Sequence, residues 1–480
     1  MGMGDGDRRE VRPSAAPAEP HPVPPVSPPR GMTLRASAAV LGVLILLVLA
    51  VVAGRNWLVP APSEADLDQL PALEGEAASL RQEALAAADR LVEEFPADAD
   101  ALYSKGLIYN RCGGRAVAVA CWKKCLKRDS QFALAYFCLG WDALDHQQHE
   151  ESVALLRKAV ELDPKMSQAF LLLGQALVSL GRAEEAIGPL ETHVRLAPRS
   201  SEGYFRLGQA YLQCQQYEKA QQYCLAALEI DPAHAAACDE LATACAKQGR
   251  AEEAEKYRAK SAALKARDAQ RAAPAKADDG DGRQWRAIAA YAHTDVGKVY
   301  HAFGKTAEAE EHWLRAAELE PRDTESRKLL VTAYQQEQRF EEARRVLGEL
   351  VAIEPGNVIH YINLGVLSGA GGDFDASEAA FRKVQELAPR HDQGYIALAQ
   401  LYLQADRKLP EARLMAQKAV ELAPVAANYF LLAQAHARGG DRQQALAAIG
   451  RAIELDPGNS AYREAQARLQ GETARPSPTR

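Results

Sequence analysis

The sequence lacks an excess of positive charge, and it lacks almost every short motif that carries chemistry. Its 57 Lys and Arg are outnumbered by 64 Asp and Glu, for a formal net charge of -7 over 480 residues. Nucleic acid, which selects for a basic surplus, is therefore not an expected partner. There is no Gly-rich phosphate loop, no nucleophile elbow and no paired-His metalloprotease motif. No two cysteines stand in a two-residue-spaced redox or zinc pair. These absences argue against an enzyme, and no cofactor or metal is expected.

What is present is helical periodicity. In Ser201 to His234, the residues Tyr204, Leu207, Gly208 and Tyr211 fall on one helical face, and Ala220, Cys224 and Ala227 repeat that pattern. Gln213 to Gln216 form a short polar connection between the two helices, and Pro232 blocks continuation of the second. The unit is an antiparallel helical hairpin. Small residues at Gly208 and Ala220 let its backbones approach, but one apolar face remains open and needs a neighbour.

The neighbours appear at a period of 34 residues: Pro164, Pro198 and Pro232, then Pro321, Pro355 and Pro389. The same offsets carry Phe170, Leu173, Gly174, Ala186 and Leu190; then Val296, Gly297, Tyr300, Ala309, Trp313 and Ala316; then Tyr361, Leu364, Gly365 and Phe381. On these residues the chain resembles the tetratricopeptide repeat family. The resemblance implies an all-α fold, a right-handed α-solenoid of stacked helix-turn-helix hairpins that binds peptides or proteins along an inner wall of first helices. A repeat array grows by stacking, so the chain length does not force a division into ordinary domains.

Taken in order, residues 1–35 read as a disordered tail, with eight prolines between Pro13 and Pro29. Ala36 to Gly54 is free of charge for 19 residues. At about 1.5 Å per residue it approaches the roughly 30 Å of a hydrocarbon core, so residues 36–54 read as a transmembrane helix in the lipid bilayer. The competing reading is a cleaved secretory signal, with Val51 and Ala53 before the cut; the length of the apolar run and of the region before it favours the anchor. Arg30 and Arg35 precede the span and only Arg55 closely follows it, which places the tail in the cytoplasm and the repeats outside the cytoplasmic membrane.

Residues 55–98 read as a linker and a degenerate or capping repeat. Five repeats fill 99–268 and five more fill 290–459, with a flexible insert at 269–289 between them. The insert contains Pro274 and the run Asp278, Asp279, Gly280, Asp281, Gly282, whose spacing does not match a calcium loop. The fourth repeat of the second array gains a residue around Lys408 to Pro410. Residues 460–480 read as a polar capping helix and a disordered end.

His146 and His149 lie near Glu150 and Glu151 in an inter-helix turn, without a further ligand, and read as solvated turn residues. Cys125, Cys224, Cys238 and Cys245 occupy core positions, whereas Cys112 and Cys214, at the ends of first helices, are expected to be the exposed thiols.

The resemblance places the fifth and ninth residues of each repeat on the inner wall. The fifth positions give an apolar ladder: Tyr103, Phe137, Leu171, Phe205, Ile362, Ile396 and Phe430. The ninth give amides: Gln175, Gln209, Gln400 and Gln434. Together they suit a peptide with apolar anchors and backbone groups for the amides. Generic repeats favour the same residue types there, so the pattern also fits a structural role. The Lys and Asn clamp of chaperone-binding relatives is absent, Lys298 and Lys328 being isolated, and with about twenty residues after Pro457 the glycosyltransferase domain of some relatives is not expected. The expected function is that of a membrane-anchored scaffold without chemistry of its own, with two alternatives: a subunit of an envelope-assembly or membrane enzyme complex, or a cytoplasm-facing adaptor.

Overall fold

The computed structural model describes residues 73, 75–271 and 280–471. The Pro-rich tail, the expected span at 36–54, residues 272–279 of the insert and the end beyond residue 471 lie outside the described residues. Among the described residues there are 22 helices, and none is long and apolar enough to cross a membrane.

Helix α1 (Gly75–Glu94) stands alone. Five hairpins follow: α2 (Ala99–Arg111) with α3 (Arg115–Arg128), α4 (Ala133–Asp145) with α5 (His149–Leu162), α6 (Ser167–Ser179) with α7 (Ala183–Leu196), α8 (Ser201–Gln213) with α9 (Tyr217–Ile230), and α10 (Ala235–Lys247) with α11 (Ala251–Arg271). The second array pairs α12 (Gly280–Ala302) with α13 (Thr306–Leu319), α14 (Glu325–Gln336) with α15 (Phe340–Ile353), and α16 (Val358–Ala370) with α17 (Phe374–Leu387). It continues with α18 (Gln393–Gln404) and α19 (Leu409–Leu422), then α20 (Ala426–Arg438) and α21 (Arg442–Leu455), and closes on α22 (Ser460–Gln470). Residues 269–271 and 280–289 of the expected insert are thus helical, in α11 and α12.

The helices stop where the sequence stops them. Helices α5, α7, α9, α13, α15, α17, α19 and α21 each end two residues before a proline, which lacks the N–H to continue and keeps its predecessor extended. Within every hairpin the turn holds one residue in the left-handed region, at 113, 147, 181, 215 and 249 and again at 304, 338, 372, 406 and 440. That 34-residue register is unbroken within each array; the extra residue of the fourth late repeat follows it, with Lys408 also left-handed at φ 50°.

Close approach inside the hairpins rests on glycine. A Cβ on Gly106 would lie 2.3 Å from Nε1 of Trp122, and one on Gly297 would lie 2.5 Å from Nε1 of Trp313. Both indoles are about 1% exposed. Neighbouring first helices touch closely through the first array, α4 with α6, α6 with α8 and α8 with α10, whereas in the second array α18 and α20 do so.

The arrays are not independent. Helix α1 packs on both α2 and α12, and a single core runs from Leu80 and Leu91 through Ile108 to Val296, Trp313 and Leu350. Buried residues on α1 recur as Ala77, Leu80, Ala84, Ala87 and Leu91, and on α12 as Ala289, Ala292, Val296 and Val299, the alternating three-four spacing of a helix seam. Glu76 pairs with Arg286 and Glu83 with His293, each across a separation of 210 residues, so α1 and α12 run parallel and in register. Phe95 stacks on Phe303 at 4.2 Å where the pair ends. The residues read as a degenerate or capping repeat are, from Gly75 on, the helix that joins the first array to the second.

Candidate protein-binding surface

The two arrays present their fifth and ninth positions differently. In the first, Leu171 and Phe205 are buried, and Phe205 lies 4.9 Å from the ring of His234 in a core shared with Leu228 and Leu241. Tyr103 is half-buried, with Phe132 at 5.3 Å. Phe137 is half-buried against the cores on both sides of it. Gln175 is half-buried. Gln209 donates from Nε2 to Glu240 Oε1 at 3.2 Å and accepts from Arg206 Nη1 at 3.2 Å. Of these fifth residues Leu171 and Phe205 are taken up in packing, and Tyr103 and Phe137 partly so.

In the second array the wall is more open. Ile362, Ile396 and Phe430 are half-buried, while Gln400 and Gln434 are exposed. Phe430 rests at 4.9 Å on Tyr462 of α22, so the closing helix supports the last rung. Val366, at the ninth position between these residues, is 53% exposed and completes an apolar strip with Ile362 and Ile396. The sequence reading passed over it because it followed the amides; the 34-residue offset from Gln400 would have found it. Of the two isolated cations, Lys298 is paired with Glu325 at 3.2 Å, and Lys328 donates to Thr324 Oγ1 at 3.0 Å.

The remaining candidates are structural. The Nδ1 of His146 lies 2.8 Å from the carbonyl oxygen of Asp142. Among the described residues no three His, Cys, Asp or Glu side chains gather closely enough to hold a metal ion. Cys112 is 2% exposed, correcting the expectation of an exposed thiol there, because the last turn of α2 is covered by α1 and α12; Cys214 is half-buried.

An all-helical stack of hairpins with first helices side by side is an α-solenoid. One model of the tetratricopeptide repeat matches residues 76–113, 137–201 and 328–392, and a second matches 201–234 and 426–459. The chain carries tetratricopeptide repeats in both arrays. Among solved structures, that of MamA is 25% identical, covering 34% of this chain and 96% of its own, with a TM-score of 0.33. MamA from Desulfovibrio magneticus RS-1 is 21% identical over 35% of this chain and 97% of its own, with a TM-score of 0.34. YrrB, described as a TPR protein with an unusual peptide-binding site, is 24% identical over 37% of this chain and 91% of its own, with a TM-score of 0.35. Among curated proteins none matches the chain.

Proposed function

We propose that the protein is a membrane-tethered scaffold that holds protein partners through the wall of its second array and performs no covalent chemistry. The observation that carries this reading is the strip formed by exposed Val366 with half-buried Ile362 and Ile396, beside the exposed amides Gln400 and Gln434, all on first helices of one array. Apolar side chains of a partner would enter between the first helices, and the amides would bond its backbone. Residues 36–54 would fix the scaffold in the bilayer with the repeats on the outer face, raising the local concentration of partners there.

A photo-crosslinking residue placed at Val366 in cells tests the binding surface. A discrete crosslinked partner is expected, and it should be lost when Phe430 is replaced by Glu; a crosslink unaffected by that change would overturn the assignment. Membrane topology is tested separately, by fusing a reporter active only outside the cytoplasm after Arg480. Its silence, with activity of a reporter that works only inside, would turn the reading to a cytoplasm-facing adaptor.

A further inference from the structure

The seam between the arrays holds a chain of polar groups that runs from α1 into the α12–α13 hairpin. A cleft of about 470 Å³ is lined by Glu83 and Arg90 of α1, His293 of α12, and Glu311, His312, Arg315 and Glu318 of α13. Glu83 accepts from Arg315 Nε at 2.7 Å and Nη2 at 3.1 Å, and its Oε1 lies 3.0 Å from His293 Nε2. The two imidazoles meet with their Nδ1 atoms 2.8 Å apart, and Tyr300 of α12 stacks on His312 at 5.4 Å. His293 is 8% exposed.

This geometry fixes where the protons sit. Glu83, bonded twice by a guanidinium, is a carboxylate, so the proton between it and His293 belongs to Nε2 of the ring. Neutral His293 then has a bare Nδ1, and His312 must donate to it from its own Nδ1. One added proton is accommodated: charged His293 donates to Glu83 from Nε2 and to His312 from Nδ1, and His312 moves its hydrogen to Nε2. A second is not, because both Nδ1 atoms would then carry hydrogens facing each other at hydrogen-bond distance. Two positive rings would also share a cleft with Arg90 and Arg315, balanced only by Glu83, Glu311 and Glu318.

We propose that Glu83 of α1 with His293 and His312 of the α12–α13 hairpin form a proton-operated latch between the two arrays, closed while the two rings carry at most one added proton and open when both are charged. Burial already holds both imidazoles below the ordinary histidine range, His312 at about 4. The contact that yields is that of α1. The α12–α13 hairpin is locked by Trp313 in the space left by Gly297, whereas α1 brings Arg90 against the charged rings and holds the seam by Leu80, Leu91 and the small Ala77, Ala84, Ala87 and Ala88. The flanking pair Glu76–Arg286 is solvent-exposed and weakly stabilising. Opening would separate the arrays and uncover the apolar seam of α12, so an acidic surrounding would convert a coupled scaffold into two separately mobile ones.

The test is hydrogen–deuterium exchange of the full chain at about pH 7.5 and about pH 4.5, corrected for intrinsic rates, with α6 as internal reference. Peptides from α1 and α12 are expected to lose protection by up to about two orders of magnitude in acid, the factor carried by a histidine moved from about 6.5 to about 4. Helix α6 should be unaffected. His312→Asn keeps a donor for His293 but cannot charge, so its α1 should stay protected at both pH values; His312→Lys should open the seam at neutral pH. Equal protection of α1 and α6 in acid would overturn the latch, as would their parallel loss, which is general acid unfolding. Loss in His312→Asn at the same pH as in the unmodified chain would do the same. The profile of the unmodified chain decides if either variant fails to fold.

Discussion

The imidazole of His193 occupies the space that a side chain at residue 203 would need: a Cβ on Gly203 would lie 2.3 Å from its Cδ2. In neighbouring repeats the equivalent pair is small on both sides, as in Ala159 with Ala169 and Ala227 with Ala237, all fully buried. Here the ring is held by Ser200 Oγ at 2.9 Å from Nε2 and the Ser167 carbonyl at 2.9 Å from Nδ1, and the next helix gives up its methyl to admit it. Gly203→Ala should therefore cost about 1–3 kcal/mol by overpacking. Combined with His193→Ala it should cost far less than the sum, since the pair returns to the pattern of its neighbours; additive urea midpoints in the double-mutant cycle would refute the pairing.

The turns offer a stabilisation. Gln147, Gln215 and Gln338 sit at φ 58°, 59° and 62°, where all but one of the other hairpins, that of Asp406, place glycine. A left-handed non-glycine residue costs about 1–2 kcal/mol, partly offset by the larger chain entropy glycine loses on folding. Each Gln→Gly change should stabilise the protein by about 0.5–1 kcal/mol, read as a rise in thermal midpoint; a fall would mean that the amide side chains contribute contacts outweighing the strain.

The hairpins, their period and most helix ends were legible in the sequence because each is set locally, by a proline, a turn residue or a facing pair such as Gly297 and Trp313. The joining of the arrays was not. Helix α1 meets α12 across 210 residues, and its alanines at 77, 84, 87 and 88 look like the second helix of any weak repeat. The 21 extra residues at 269–289 looked like a joint, although three of them end α11 and ten are the first turns of α12. The wall was legible as positions and not as availability. Whether Phe205 faces a partner or His234 depends on how closely α8 and α10 pack, which no residue type announces.

A buried acid in the second array gives a pH signature distinct from that of the histidines. Glu378 is 8% exposed, yet burial, which would raise its pKa, is outweighed by Lys408, Tyr402 and Arg382, all bonded to its carboxylate, and the group is held at about 2. A carboxylate depressed from an ordinary value of 4.5 contributes stability that is complete above that value and lost as pH falls through about 2. Glu378→Gln should cost about 1–3 kcal/mol near neutral pH. The gap between it and the unmodified chain, followed by denaturant midpoints, should narrow only below the ordinary carboxylate range; a gap already closing near neutrality would refute this network.

The two arrays should respond oppositely to changes on their walls. Phe205→Ala removes a ring that is 5% exposed and should cost about 3–5 kcal/mol. Val366→Glu acts on a side chain that is 53% exposed and should leave stability within about 0.5 kcal/mol while abolishing capture of the same partner by a photo-crosslinking residue moved to the exposed Gln400. Differential scanning calorimetry beside the binding assay separates the cases. A destabilising Val366→Glu would show that the strip is core, and an unharmed Phe205→Ala would show that the first wall is as free as the second.

Thiol chemistry reads out the covering of α2 by α1 and α12. Seven of the eight cysteines are buried and Cys214 alone is half-buried, and burial raises every one of these thiols above its ordinary range, Cys112 to about 12. A raised thiol is a poor nucleophile, because the thiolate reacts, and a covered one is also out of reach. Titration of the native chain with a thiol-exchange chromophore should show one accessible group, removed by Cys214→Ser, and the remainder only on unfolding. Deleting residues 1–94 takes away α1 and should bring Cys112 into the accessible set while Cys224, Cys238 and Cys245 of α9 and α10 stay protected. If Cys112 remained unreactive in that truncated chain, the last turn of α2 would have to be covered by its own array, and the role given to α1 as the joining helix would fail.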